Sequence, residues 1–146
     1  MNAALSVAPA PPTRIRRAAP LVAGLITVVA LSSLTDAVMH ATGVFPPSDV
    51  RMADAKFVLP LAYRFVFAVL GCHVAARLSL GRPMRDAMRL AVIGFMLGML
   101  GVVATWNSDL GPRWYALAVA LTALPAGWLG GHSFSAVISS RVSDHS

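Results

Sequence analysis

Arg64 is the residue whose setting most demands an explanation. It lies in residues 57–80, FVLPLAYRFVFAVLGCHVAARLSL, seven positions past Phe57, which at about 1.5 Å per residue is about 10 Å along a helix. An arginine at the centre of a membrane helix costs roughly 2.5–3.5 kcal/mol, less toward the ends, so a buried one finds a partner or a water-filled cavity. Asp36 stands near the far end of the preceding apolar run. If the two runs are consecutive helices of opposite direction, Asp36 and Arg64 fall at one level, in the outer leaflet and within side-chain reach. Opposite charges attract strongly in a low dielectric, and each would otherwise be left unpaired. The expectation is an Asp36–Arg64 ion pair, with Ser32, Ser33 and His40, which share a helical face with Asp36, as hydrogen-bond partners. Leu61, Ala68, Gly71 and Ala75 share the face of Arg64, and the last three are small enough for close helix contact. Such a pair either fixes helix register or forms a polar site for a small polar or anionic solute.

Other chemistry is sparse. His73 and His132 are expected at similar depth on different helices, the arrangement by which bundle proteins ligate haem; hydrogen-bonded histidines near an interface are the simpler reading. His73 lies nine residues from Arg64, half a turn away after two full turns, so no polar path runs down one face of that helix. Met84, Met88, Met96 and Met99 recur at helical spacings and suit core or lipid contact better than a metal. The sequence has no glutamate, no HExxH, no P-loop and no GxSxG. Ser79, Ser108, Ser133 and Ser135 have no evident triad partner, and Cys72 is the only cysteine, so neither a nucleophilic nor a dithiol centre is expected. Beyond the haem alternative, the reading calls for no cofactor and no metal.

The elements that must position these residues follow from composition. The chain has 146 residues, 57% hydrophobic and 12% charged, against about 25% charged in a soluble domain. A core this size cannot bury that much apolar surface in water, so the bilayer is the implied solvent. The net charge of +6 comes from basic residues that flank the apolar runs. They read as topology signals and headgroup contacts, and nucleic acid is not an expected partner.

Residues 1–17, rich in Ala and Pro and ending in Arg14, Arg16 and Arg17, read as a disordered basic tail. Residues 18–140 read as an all-α, polytopic membrane domain with spans at about 18–40, 57–80, 84–106 and 113–131, the last extending to 139 if Gly130-Gly131 does not cap it. Residues 141–146 form a closing tail. Residues 14–37 also have the outline of a signal peptide cleaved after Ala37. The apolar stretch, however, continues through Val38 and Met39, and Asp36 departs from the small-residue pattern of a cleavage site. Ser48 and Asp49 suit the start of a short interfacial helix before the second span. Pro83 and Asp86 open the third span, and Pro112 the fourth. In the third span Ala87, Ala91, Gly94, Gly98 and Gly101 line one face, which lets two backbones approach closely and suits a homo-oligomer or a protein partner. Trp106, Trp114 and Tyr115 mark one membrane–water interface.

Arg14, Arg16, Arg17, Arg77, Arg82, Arg85, Arg89 and Arg141 fall on one side, and Arg51, Lys56 and Arg113 on the other. The expected topology is an antiparallel four-helix bundle with both termini cytoplasmic. At AYRFVFAVLGCHVAARL, RPMRDAMRLAVIGFMLGMLGVVATW and GPRWYALAVALTALPAGWLGG, within residues 57–131, the chain resembles small four-span inner-membrane proteins of bacteria. That resemblance implies an inner-membrane location and no particular chemistry. The small multidrug transporters share the count of four short helices but use a glutamate buried in the first span, where this chain has only Asp36 near the outer end. The functional expectation is a structural or accessory membrane component, with a small transporter or channel subunit and a haem protein as alternatives.

Overall fold

The computed structural model describes residues 14–47, 50, 52–107 and 111–143, with side chains from Ile15 to Phe134. Regular structure among the described residues is helical: α1 (Arg14–Ala41), a 3-10 turn at Asp54–Phe57, α2 (Val58–Leu78), α3 (Pro83–Thr105) and α4 (Arg113–Ser143). The four α-helices have 28, 21, 23 and 31 residues, or about 32–46 Å at 1.5 Å per residue, against a hydrocarbon slab of about 30 Å. All four are long and apolar enough to cross a membrane.

The boundaries have local causes. α1 ends where Gly43 takes φ +74°, a conformation open to a residue without Cβ. The N–H of Gly43 then bonds the carbonyl of His40, and that of Phe45 the carbonyl of Met39, which satisfies orphan carbonyls of the last turn. Pro60 sits in the first turn of α2 and Pro83 opens α3, where a missing N–H breaks no helical bond. Gly81, at φ +105°, makes the turn between α2 and α3.

Two boundaries differ from the sequence reading. α1 begins at Arg14, so the basic residues 14, 16 and 17 belong to the helix; arginine is a good helix former. α4 passes Pro125, Gly130 and Gly131 and runs to Ser143, beyond both expected ends. Its glycines lie against neighbouring helices, as described next, and packing outweighs their intrinsic cost there. The expected helix start at Ser48 and Asp49 lies outside the described residues, as do 1–13 and 144–146.

Small residues make the contacts. At Gly24 an added Cβ would lie 2.6 Å from the carbonyl oxygen of Gly71, and at Gly71 it would lie 2.7 Å from that of Gly24, so α1 and α2 touch backbone to backbone. A Cβ at Gly130 would lie 2.6 Å from the carbonyl of Val69, joining α4 to α2, and one at Gly98 would lie 2.8 Å from Cα of Ala120, joining α4 to α3. Cys72, Ala75, Ala76, Ala87, Leu90 and Ala91 form a buried cluster, and among the described residues no large side chain is fully buried. Large apolar side chains point outward instead. Val22 and Ile26 on α1, Val66 and Leu70 on α2, Met96 and Leu100 on α3, and Leu121 and Trp128 on α4 are all exposed. Small inside and large apolar outside is the arrangement that lipid, not water, makes favourable.

Candidate functional site

Between α1 and α2, Arg64 Nη2 donates to Asp36 Oδ2 at 2.6 Å, and the hydroxyl of Tyr63 donates to Asp36 Oδ1. Both carboxylate oxygens are therefore occupied, by two consecutive residues of α2 that leave the helix about 100° apart and converge through the length of their side chains. Tyr63 also lies against Phe67, with ring centroids 5.7 Å apart. The Nε of Arg64 is buried and has no hydrogen-bond partner.

Arg64 separates two cavities. One, of about 290 Å³, is lined on its polar side by Asp36, His40, Arg64 and Tyr115, with Phe45 and Pro60 among its apolar walls. The other, of about 260 Å³, lies between α3 and α4 and is lined by Arg64, Gly98, Val102, Trp106, Tyr115 and Val119. Phe57 and Tyr115, whose centroids are 5.0 Å apart, stand at the rim of both. Toward the opposite end, the interior of the bundle is filled by the core of small residues.

Each candidate site residue among the described residues has a definite place. His40 lines the cavity beside Asp36, but its Nδ1 lies 3.0 Å from the carbonyl of Pro46 and its ring meets Phe45 edge-on. Ser32 is half-buried and Ser33 exposed, and neither bonds to the pair. Ala87, Ala91, Gly94 and Gly98 face α4 of the same chain: Gly127 abuts Ala91, Gly94 faces Ala123 and Gly98 faces Ala120. Gly101 has open space where a Cβ would be and lines the second cavity.

The two histidines considered for haem are engaged separately. His73 Nδ1 lies 2.8 Å from Ser133 Oγ, and His132 stacks on Trp128 with centroids 4.4 Å apart. Ser133 Oγ also lies 2.9 Å from the carbonyl of Gly130, to which it donates. The His73–Ser133 pair ties α2 to α4. No group of three or more His, Cys, Asp or Glu able to hold a metal ion occurs among the described residues.

Sequence reasoning missed Tyr63, Tyr115 and the His73–Ser133 contact. A tyrosine next to an arginine on an apolar helix is ordinarily an interface anchor, and nothing in the spacing of Tyr63 marks it as a carboxylate donor. Tyr115 carried the interfacial signal and lies at the Arg64 level as well. No family model, curated protein or solved structure matches the chain.

Proposed function

We propose that the chain is a multi-pass protein of a bacterial inner membrane, an antiparallel bundle of four spans with both termini cytoplasmic. In this reading it serves as a structural or accessory component of a homo- or hetero-oligomer. The observation that carries the reading is the inverted distribution of side chains: a central cluster of Ala, Cys and one Leu, with glycines at the helix contacts, beneath large apolar side chains exposed on every helix. The contact order supports opposite helix directions. Gly24 meets Gly71 while Asp36 meets Tyr63 and Arg64, so numbers rise along α1 as they fall along α2. The arginines flanking the α2–α3 turn support a cytoplasmic location for that end. With the small-residue face of α3 against α4, the part of α3 open to a protein partner is the ridge of Met96, Leu100 and Val103. Native mass spectrometry of the full chain released from lipid nanodiscs tests the accessory role. A defined oligomer or a stoichiometric partner is expected, and a bare monomer under every condition would contradict it.

The unpartnered Nε of Arg64 beside a cavity favours a second reading, a small transporter or channel subunit that admits a polar or anionic solute from the outer side. In a Cys72→Ser background, Ala68→Cys or Arg64→Cys should then react with a membrane-impermeant thiol reagent added outside intact cells. Silence at both positions would leave the cluster a dry structural pair.

A further inference from the structure

A second polar cavity, of about 270 Å³, opens at the end of the bundle opposite Arg64, where the first turns of α1 and α3 meet the α2–α3 turn. Arg16, Arg17, Arg82, Arg85 and Arg89 line it, with Asp86 as its one carboxylate. Asp86 is already committed: its Oδ2 accepts from Ser79 Oγ at 2.6 Å and its Oδ1 from Arg89 Nη1 at 3.0 Å, and it is buried. Five arginines against one aspartate leave four positive charges around the cavity, and the side chains of Arg16, Arg17, Arg82 and Arg85 have no carboxylate partner among the described residues. At about 30 Å³ per water the space equals roughly nine water molecules, enough for a phosphodiester. The amino end of α3 starts at its wall, where the helix dipole also favours an anion.

A further feature identifies the source of that anion. Arg85 and Arg89 also line a groove of about 500 Å³ whose remaining walls are Leu21 of α1 and Met88, Val92 and Ile93 of α3. The groove is apolar and runs one to two helical turns from the arginines along the seam between α1 and α3. A soluble phosphate has no use for such a groove, whereas a lipid has a headgroup for the basic cavity and an acyl chain for the apolar seam.

We propose that this end binds one anionic phospholipid specifically, its headgroup phosphate among Arg16, Arg17, Arg82 and Arg85 and one acyl chain laid between Leu21 and Val92. The inference rests on the reading of the chain as an integral membrane protein. Extraction of membranes at alkaline pH tests that reading separately, because an integral protein stays in the pellet whatever lipid it prefers.

The full-length chain in mild detergent is titrated with phosphatidylglycerol, with phosphatidylcholine of the same acyl chains, and with inorganic pyrophosphate, and bound species are counted by native mass spectrometry. One phosphatidylglycerol should be retained at least tenfold more tightly than phosphatidylcholine. A double variant Arg17→Gln, Arg85→Gln should lose about thirty-fold in affinity, equivalent to about 2 kcal/mol at tenfold per 1.4 kcal/mol, or about 1 kcal/mol per arginine. Val92→Trp, which fills the groove at an exposed position and leaves the core intact, should weaken phosphatidylglycerol while sparing any pyrophosphate binding. Equal retention of the two lipids overturns the proposal, and so does an unchanged affinity in a folded double variant. Pyrophosphate that displaces phosphatidylglycerol, with no effect of Val92→Trp, would make this a free-phosphate site and overturn it too. Should the double variant fail to fold, the lipid comparison and Val92→Trp decide the matter alone.

Discussion

The carboxylate of Asp36 is the smallest unit on which the bundle turns, because it answers two donors from the neighbouring helix. An exposed ion pair contributes up to about 1 kcal/mol, and breaking a buried one costs about 3–5 kcal/mol. With its side chains 30% and 37% exposed, the Asp36–Arg64 pair falls between these limits. Asp36→Ala should therefore lower folded stability by about 1–3 kcal/mol, read as a loss of monodisperse protein and of thermal midpoint in detergent. Tyr63→Phe, which removes one donor and keeps the ring on Phe67, should cost less, about 1–2 kcal/mol. Exchanging the two charges, Asp36→Arg with Arg64→Asp, should restore part of what either single change loses; a double variant as poor as the sum of the singles would mean the two residues act independently. The common level of Asp36 and Arg64 is legible in the sequence, since helix rise is fixed and each stands a countable distance from its helix end. The role of Tyr63 is not, because it depends on rotamers and on the local approach of α1.

At the scale of the helices, glycines decide how closely the backbones pack. A methyl at Gly71 would sit 2.7 Å from a carbonyl oxygen of α1, and a backbone cannot turn aside as a flexible side chain can. Gly71→Ala should thus cost about 1–3 kcal/mol through overpacking. Gly101→Ala, with nothing within 4 Å of the new methyl, should be neutral or stabilising, since alanine is the better helix former by about 1 kcal/mol. Thermal unfolding of the two variants in the same detergent checks the contrast, and equal effects would contradict the packing described. Gly98→Leu should likewise separate α3 from α4. The small face of α3 is plain in the sequence from its steps of 3 and 4, but its occupant is not. Spacing says that something approaches closely, and only the return of α4 along α3 says that it belongs to the same chain. The length of α4 was hidden for a related reason: Gly130 and Gly131 resemble a helix cap until Gly130 is seen against Val69 and Gly131 against Met84.

As a whole molecule the chain is polarised. One half is filled by Ala, Gly and Cys, and arginines collect at its end; the other half holds the ion pair, the two cavities and the aromatic residues Trp106, Trp114 and Tyr115. This polarity is what apolar periodicity and the positions of basic residues convey best, because membrane insertion reads the same quantities. The proposed topology follows from it, and labelling on intact cells tests it most directly. In a Cys72→Ser background, single cysteines at Thr42, Gly81 and Asn107 would be treated with a membrane-impermeant maleimide before and after permeabilisation. Four crossings with cytoplasmic termini predict that positions 42 and 107 react in intact cells and that position 81 reacts only after permeabilisation. Labelling of position 81 from outside, or of all three alike, would contradict the bundle proposed here.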